Sequence, residues 1–310
     1  MRSLLEFREY LKHFYSKYDV YLKPAAKFLL AFITLQLING KMGYQEKLNS
    51  PSIVLIFALM CSFMPTGFII FCAALFILVH LYALSLECML VTLVLFLVMV
   101  LLYLRFSPKD TLVVLLTPLF FMLKIPYVMP VAMGLIGTPA SAVSVGCGVT
   151  VYYLLNYILT NANVLNSMDD DMAGKLRYVV DGFVGNRAMA VTIIAFAVTV
   201  ILVYMIRRLS VDHSWTIAMI AGTLVNLVIL LIGDLMFNTE VSIAGLLFGS
   251  IIAVAAAKVL EFFVFNVDYH RTENVQFEDD EYYYYVKAVP KITVSTPEKT
   301  VKKINSKQGI

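Results

Sequence analysis

Charge is scarce in this chain. Of its 310 residues only 15% are Asp, Glu, Lys or Arg, against about a quarter in an average soluble domain, while 60% are hydrophobic. A soluble core cannot hide that much apolar surface, so the composition excludes an ordinary globular protein and calls for lipid as the solvent. The net charge is only +3, and the Lys and Arg are spread over loops and tails. A nucleic-acid partner would need them gathered into a stripe. Cysteine is sparse as well. Cys61, Cys72, Cys88 and Cys147 all lie in apolar segments, without a CxxC pair or a His at ligand spacing, so we expect buried, inert thiols and no metal site. The nucleophile elbow GxSxG, the zinc motif HExxH and the phosphate loop GxxxxGK[ST] are all missing. The chain is therefore expected to be no enzyme, to need no cofactor and to leave any ATP hydrolysis to a separate subunit. Residues 1–23 lack a compact apolar core with a small-residue cleavage site, so no removable signal peptide is expected.

Long apolar runs take the place of what is missing. They occupy residues 25–38, 51–64, 67–85, 86–106, 111–123, 127–145, 146–160, 188–206, 215–237 and 241–265. Within a bilayer helix is the default, because every backbone N–H and C=O must be satisfied inside the segment. The fold class is thus an all-α polytopic integral membrane protein, a bundle of 8 to 10 transmembrane helices. Several runs fall short of the roughly 20 residues a crossing needs, and the lower count makes part of residues 111–145 a re-entrant hairpin. Either count puts Arg105, Lys109, Arg207 and Arg208 on the side of the basic N-terminus, which the positive-inside rule makes cytoplasmic. A plasma-membrane protein with both termini inside is the expectation.

Three parts follow: residues 1–23, 24–265 and 266–310. In the first, Leu4, Phe7, Leu11, Phe14, Tyr18 and Tyr21 recur at helical spacing, giving an amphipathic helix for the membrane surface or for the protein's own membrane domain. In the second, the outer loop 161–187 holds a short interfacial helix capped by Ser167, with Asp169, Asp170 and Asp171 in its first turn and Met168, Met172, Leu176, Val179 and Phe183 along one face. Further on, Gly245, Gly249, Ala253 and Ala257 follow one another at four-residue steps, a smooth face for helix packing within the bundle or in a homo-oligomer. The third part is a short cytoplasmic tail. Its acidic Glu278, Asp279 and Asp280 lead into Tyr283 and Val286, and from Val286 to Val294 the alternation is that of a strand at a sheet edge. These residues are candidates for binding a cytosolic partner.

The most irregular stretch is central. Pro108, Pro118, Pro126, Pro130 and Pro139 interrupt residues 107–160, together with Gly134, Gly137, Gly146 and Gly148, so a central hairpin broken by Pro and Gly is expected. Transporters place substrate where helices are interrupted. On that logic Gly134, Gly137, Thr138, Ser141 and Ser144 form a candidate solute pathway, joined by Asn156 and Asn226, polar groups in apolar helices. The alternative for the same residues is a tightly packed hairpin without ligand, with Asn156 and Asn226 as interhelical contacts. His80, close to Glu87, is better explained by a neighbouring partner than by proton transfer. The stretch from Pro126 to Leu155 resembles the Pro- and Gly-punctuated hairpins of substrate-capture membrane subunits and of cell-shape membrane scaffolds, without a diagnostic motif. Two functions are compatible with all this: a permease-like transport subunit that captures or moves a small solute, with an ATPase as a candidate partner, or a non-catalytic scaffold that recruits a cytosolic partner through its tail.

Overall fold

The computed structural model describes residues 2–167, 172–239, 242–265, 267 and 271–291. The chain divides into two units, one made of Met1–Asp19 with Phe265–Ile310 and the other of Val20–Val264. The first contains α1 (Arg2–Lys17). The second begins along α2 (Asp19–Met42) and continues through α3 (Pro51–Phe63), α4 (Gly67–Leu84), α5 (Leu86–Phe106), α6 (Thr111–Met122), α7 (Val128–Ile136), α8 (Ser141–Thr160), α9 (Ala162–Ser167), α10 (Met172–Val184), α11 (Arg187–Arg207), α12 (Ser214–Phe237) and α13 (Ile243–Val264). Seven of these, α2, α4, α5, α8, α11, α12 and α13, are long and apolar enough to cross a membrane. The chain is a polytopic helical membrane protein.

Hydrogen bonds fix which helix ends lie together. At one end, Lys27 donates to the Met64 carbonyl in the α3–α4 turn, Ser107 Oγ lies 2.5 Å from Ser144 Oγ, and Arg207 reaches the carbonyls of Leu135 and Gly137. Because Lys27, Arg105, Lys109, Arg207 and Arg208 gather there, we call it the basic end. At the far end, His80 meets the backbone of Gln45, and Tyr178 of α10 donates to Asn161. The helices α2, α4, α5, α8, α11, α12 and α13 run between the two ends, and the shorter α3, of 13 residues, leads from the loop after α2 back to the basic end where α4 begins.

The pair α6 and α7 does not. With 12 residues in α6 and 9 in α7, they rise only about 18 Å and 14 Å. Thr111 opens α6 at the basic end and Gly137 closes α7 at the same end. Between them the chain turns at residues 123–127, where Lys124 takes a left-handed conformation with φ of 60°. Residues 111–137 therefore enter the bundle halfway and return.

Close backbone approach explains the glycines here. A Cβ on Gly134 would lie 2.5 Å from Val203 Cβ, and one on Gly148 would lie 2.5 Å from Thr117 Cβ. The hairpin is thus pressed into the groove between α8 and α11, around a core of Val113, Met129, Val145, Val149, Phe196 and Leu246. Helix α8 runs unbroken through Gly146 and Gly148, although the apolar runs alone put a boundary at 145–146. Gly148 serves packing, whereas a Cβ on Gly146 would meet Ile193 at an ordinary 3.7 Å, and the real break is at residues 137–140.

The small-residue face of α13 packs inward: Gly249 lies under the Tyr127 ring, and Ala253 and Ala257 are buried. Gly245 is exposed. At the far end, Ser167 closes α9, with its hydroxyl on the Val164 carbonyl, and the first turn it was expected to cap lies outside the described residues. Met168, Asp169, Asp170 and Asp171 lie outside the described residues. Helix α10 buries Val179 as its pattern required.

In the smaller unit α1 exposes Leu4, Phe7 and Phe14, and Tyr18 just past its end is exposed as well, part of the amphipathic stripe read from the sequence. Strands β1 (Glu273–Glu278) and β2 (Tyr283–Ala288) form an antiparallel hairpin. The expected strand from Val286 onward therefore begins three residues earlier, and Ile292 to Ser295 lie outside the described residues.

Candidate functional site

The break in the central stretch is chemically saturated. Gly137 N–H donates to the Met133 carbonyl at 2.8 Å, Thr138 N–H donates to Ser141 Oγ at 3.0 Å, and Ser144 is held by Ser107. The carbonyls that a helix C-terminus leaves free go to Arg207, whose Nη1 donates to Leu135 O and whose Nη2 donates to Gly137 O at 2.7 Å. A cation in that place also complements the negative end of the α7 dipole. The guanidinium lies over the rings of Tyr204 and Trp215, 5.0 and 5.9 Å from their centroids. Gly134, Gly137, Thr138, Ser141 and Ser144 thus lie together, but their polar groups hold the hairpin and α8 to each other. The side chain of Gly137 must be absent, since a Cβ would come within 2.5 Å of Ser141 Oγ.

Asn226 behaves differently. It is 0% exposed, and neither Oδ1 nor Nδ2 has a hydrogen-bond partner among the described residues. Ser250 Oγ on α13 is likewise buried and unpartnered. The two share a depth. Thr216 on α12 bonds Glu261 and Lys258 on α13, which sets the antiparallel register. From that contact Asn226 is ten residues along α12, about 15 Å, and Ser250 is eight to eleven residues back along α13, about 12 to 17 Å. Buried polar atoms in native structures nearly always have partners, so an unpartnered amide with a hydroxyl at its own level is a chemical anomaly, shared among the described residues of the bundle with Arg207 Nε, whose guanidinium is otherwise bonded.

The turn of the re-entrant hairpin reaches the same level. Tyr127 covers Gly249, the residue before Ser250, and its ring meets Phe196 edge-on at 6.2 Å. Three residues earlier is Lys124, exposed and about 14 to 18 Å below the basic end along α7 and α6. From the sequence Lys124 reads as flanking a segment end. Its position half way through the bundle is unexpected, because a lysine in mid-hydrocarbon is costly. Asn156, in contrast, does not join Asn226: it is exposed on α8, one turn past Tyr152, which stacks on Phe121 of α6 at 4.4 Å.

Several other polar groups in the bundle have partners. Thr34, Thr92, Thr117, Thr199 and Thr223 each donate to the carbonyl four residues before. His80, 0% exposed, accepts from the Gln45 N–H at Nδ1 (3.1 Å), so Nε2 carries the proton and donates to Asn39 Oδ1 at 2.9 Å. Asn39 Nδ2 in turn donates to Leu48 O. The neighbour expected for His80 is therefore Asn39. The four cysteines are free and buried. No group of three metal-binding side chains occurs among the described residues.

In the tail hairpin the register puts Val275 opposite Val286 and Phe277 opposite Tyr284. These four form one apolar face, all exposed, while Asn274, Gln276, Glu278, Tyr283, Tyr285 and Lys287 form the other. The acidic residues make the turn: Asp279 Oδ1 accepts from the N–H groups of Glu281 and Tyr282, and Oδ2 accepts from the Tyr284 hydroxyl at 2.8 Å. That hydroxyl, with the two amides, holds the Asp279 carboxyl below its ordinary value, and the carboxylate raises the Tyr284 hydroxyl in return.

The class this architecture defines is the multi-pass α-helical membrane protein. The chain matches no protein-family model, no curated protein and no solved structure.

Proposed function

We propose that the protein is a permease-like subunit of the plasma membrane, with eight crossings, a re-entrant α6–α7 hairpin and both termini on the cytoplasmic, basic side. It captures or moves a small polar solute at mid-membrane. The observation that carries this reading is Asn226, fully buried with both amide atoms unpartnered. Intramembrane polar groups of this kind mark substrate pathways, and half-membrane elements bring backbone and side chains to the midplane where transporters bind. Asn226 offers a donor and an acceptor, and Ser250 offers a hydroxyl. The hairpin tip adds the cation of Lys124, which favours a solute with an anionic group. The break at residues 137–140 is the hinge and anchor of the hairpin, held by Arg207, and the solute contacts lie at its tip.

The test is access of water. With the native cysteines replaced by serine, Lys124→Cys and Asn226→Cys proteins in sealed vesicles are treated with a membrane-impermeant charged thiol reagent. Both should react, and Leu97→Cys, on an exposed apolar position of α5, should not. Failure of both to react removes the pathway.

A second reading has its own observation. A lone two-stranded hairpin is marginally stable at best, and this one exposes Val275, Phe277, Tyr284 and Val286 on one face. That face suits a cytosolic partner, an ATPase subunit in a driven transporter or a scaffolded protein otherwise. Purification of the intact chain and of one ending at Asp268, with identification of what accompanies each, separates the two: an ATPase retained only by the intact chain supports the transporter.

A further inference from the structure

A separate cavity of about 140 Å³ lies among α2, α4, α5, α6 and α8. Of its two polar lining side chains, Thr34 already donates to Leu30 O and Tyr103 is bonded to Thr111. Apolar cavities of about this size stay dry and take up hydrocarbon. Val100, which lines it, is 42% exposed, so the cavity communicates with the surface that faces lipid.

Its depth is defined by the helices around it. On α4 the lining runs from Ile70 to Ile77, on α5 from Tyr103 back to Phe96, and on α6 from Val114 to Met122. Counted from the basic ends of those helices at Gly67, Phe106 and Thr111, this is about 5 to 17 Å below the end. One leaflet of hydrocarbon is about 15 Å thick, half of the roughly 30 Å core. Directly at that end lie Arg105 and Lys109, both exposed and in no ion pair among the described residues, with Asp110 as the nearest acid in sequence. The hydroxyls of Tyr103 and Thr111 mark the boundary between charge and hydrocarbon.

We propose that this cavity is a lipid site, holding a segment of one acyl chain of an anionic phospholipid from the surrounding leaflet with its headgroup at Arg105 and Lys109. It does not rest on the solute-pathway residues Asn226, Ser250 and Lys124, none of which lines it, although α6 contributes to both. Basic residues over gaps between membrane helices recognise anionic headgroups, and the length of the cavity matches a chain lying in one leaflet.

The experiment uses the full-length protein in phosphatidylcholine vesicles doped with either a phosphatidylglycerol or a phosphatidylcholine probe carrying a diazirine at mid-chain. The phosphatidylglycerol probe should label peptides spanning residues 70–77 and 114–122 at least about fivefold more than the phosphatidylcholine probe, the factor two interfacial cations comfortably supply. Ala74→Phe, which fills the cavity, should abolish that labelling and leave labelling around the exposed Phe248 and Ile251 of α13, which do not line it, unchanged. Arg105→Gln with Lys109→Gln, at exposed positions that leave the fold intact, should erase the headgroup preference. Equal labelling by the two probes, or labelling indifferent to Ala74→Phe in protein that still unfolds cooperatively, overturns the proposal.

Discussion

Replacing Asn226 by Leu should make the protein more stable. The two side chains have the same number of heavy atoms, so the exchange leaves the packing of α12 nearly intact. What changes is polarity. A buried donor or acceptor without a partner costs about 1–3 kcal/mol, and Asn226 carries one of each. Part of that penalty is already present in the unfolded, membrane-embedded chain, where polar groups also find partners, so a net gain of roughly 1–3 kcal/mol is the expectation. Asn226→Ala is the counterpart: it removes the same amide but leaves a cavity, and large-to-small changes cost about 2–5 kcal/mol, so it should be neutral or destabilising. The assay is SDS titration of the protein in mixed micelles, followed by far-UV circular dichroism and by the fluorescence of the single tryptophan, Trp215. Stabilisation with loss of solute capture is the usual trade-off at a functional site. A loss of 1 kcal/mol or more in Asn226→Leu would refute the reasoning, because it would mean the amide is bonded inside the bundle and is an ordinary interhelical contact.

Arg207→Gln should destabilise by roughly 2–3 kcal/mol, the cost of two carbonyls losing a charged donor, and Arg207→Lys should recover only part of it because an ammonium cannot bridge Leu135 O and Gly137 O as a planar fork does; the same SDS titration measures both. Gly148→Ala brings a methyl within 2.5 Å of Thr117 Cβ and should cost about 1–3 kcal/mol by overpacking, seen as an earlier unfolding midpoint. In the tail, the Asp279 carboxyl is depressed below its ordinary 3.8 and the Tyr284 hydroxyl is raised above its ordinary 10.0. The contact therefore contributes fully between those values, is lost as pH falls through the lowered carboxyl value, and is lost again as pH rises through the raised hydroxyl value. Hydrogen-exchange protection of the Glu281 and Tyr282 amides should be flat from about pH 5 to 9 and fall as pH drops through the lowered carboxyl value, while Asp279→Ala should lack it throughout; an Asp279→Ala protein with full protection would remove the turn from the account.

Much of the bundle is legible in the sequence because lipid imposes a single rule, that each crossing be a long apolar helix. The same rule makes 111–123 and 127–145 suspect as crossings, being interrupted by proline, and the re-entrant alternative is readable from length alone. The interior was harder. Gly146 and Gly148 read as breakers, yet both lie inside α8; Gly148 acts as a packing surface, because a glycine in a helix needs a neighbour to reveal its purpose, and that neighbour is Thr117, some thirty residues away. Asn226 stands out in any window of α12. Ser250 does not: serine and threonine in membrane helices usually bond their own preceding turn, as Thr199 and Thr223 do, and only the structure distinguishes the one that does not. The role of Arg207 depends on a contact seventy residues distant. Asn39 carried one local signal, a polar amide at a helix end beside Gly40, and His80 carried none that identified its partner.

The half-depth hairpin also dictates the order in which the protein is made. Neither α6 nor α7 is long enough to leave the translocon as an independent span, and what holds them arrives late: Arg207 at the end of α11, eighty residues after the hairpin turn, and Gly249 in α13, more than a hundred residues after it. Until the ribosome has delivered those helices, residues 111–137 have no seat, and their polar tip must wait at the membrane surface or in water. Seating of the hairpin thus follows insertion of the later helices, and a chain cut short before α13 lacks the contact with Gly249 even though most of its long apolar helices are already in place.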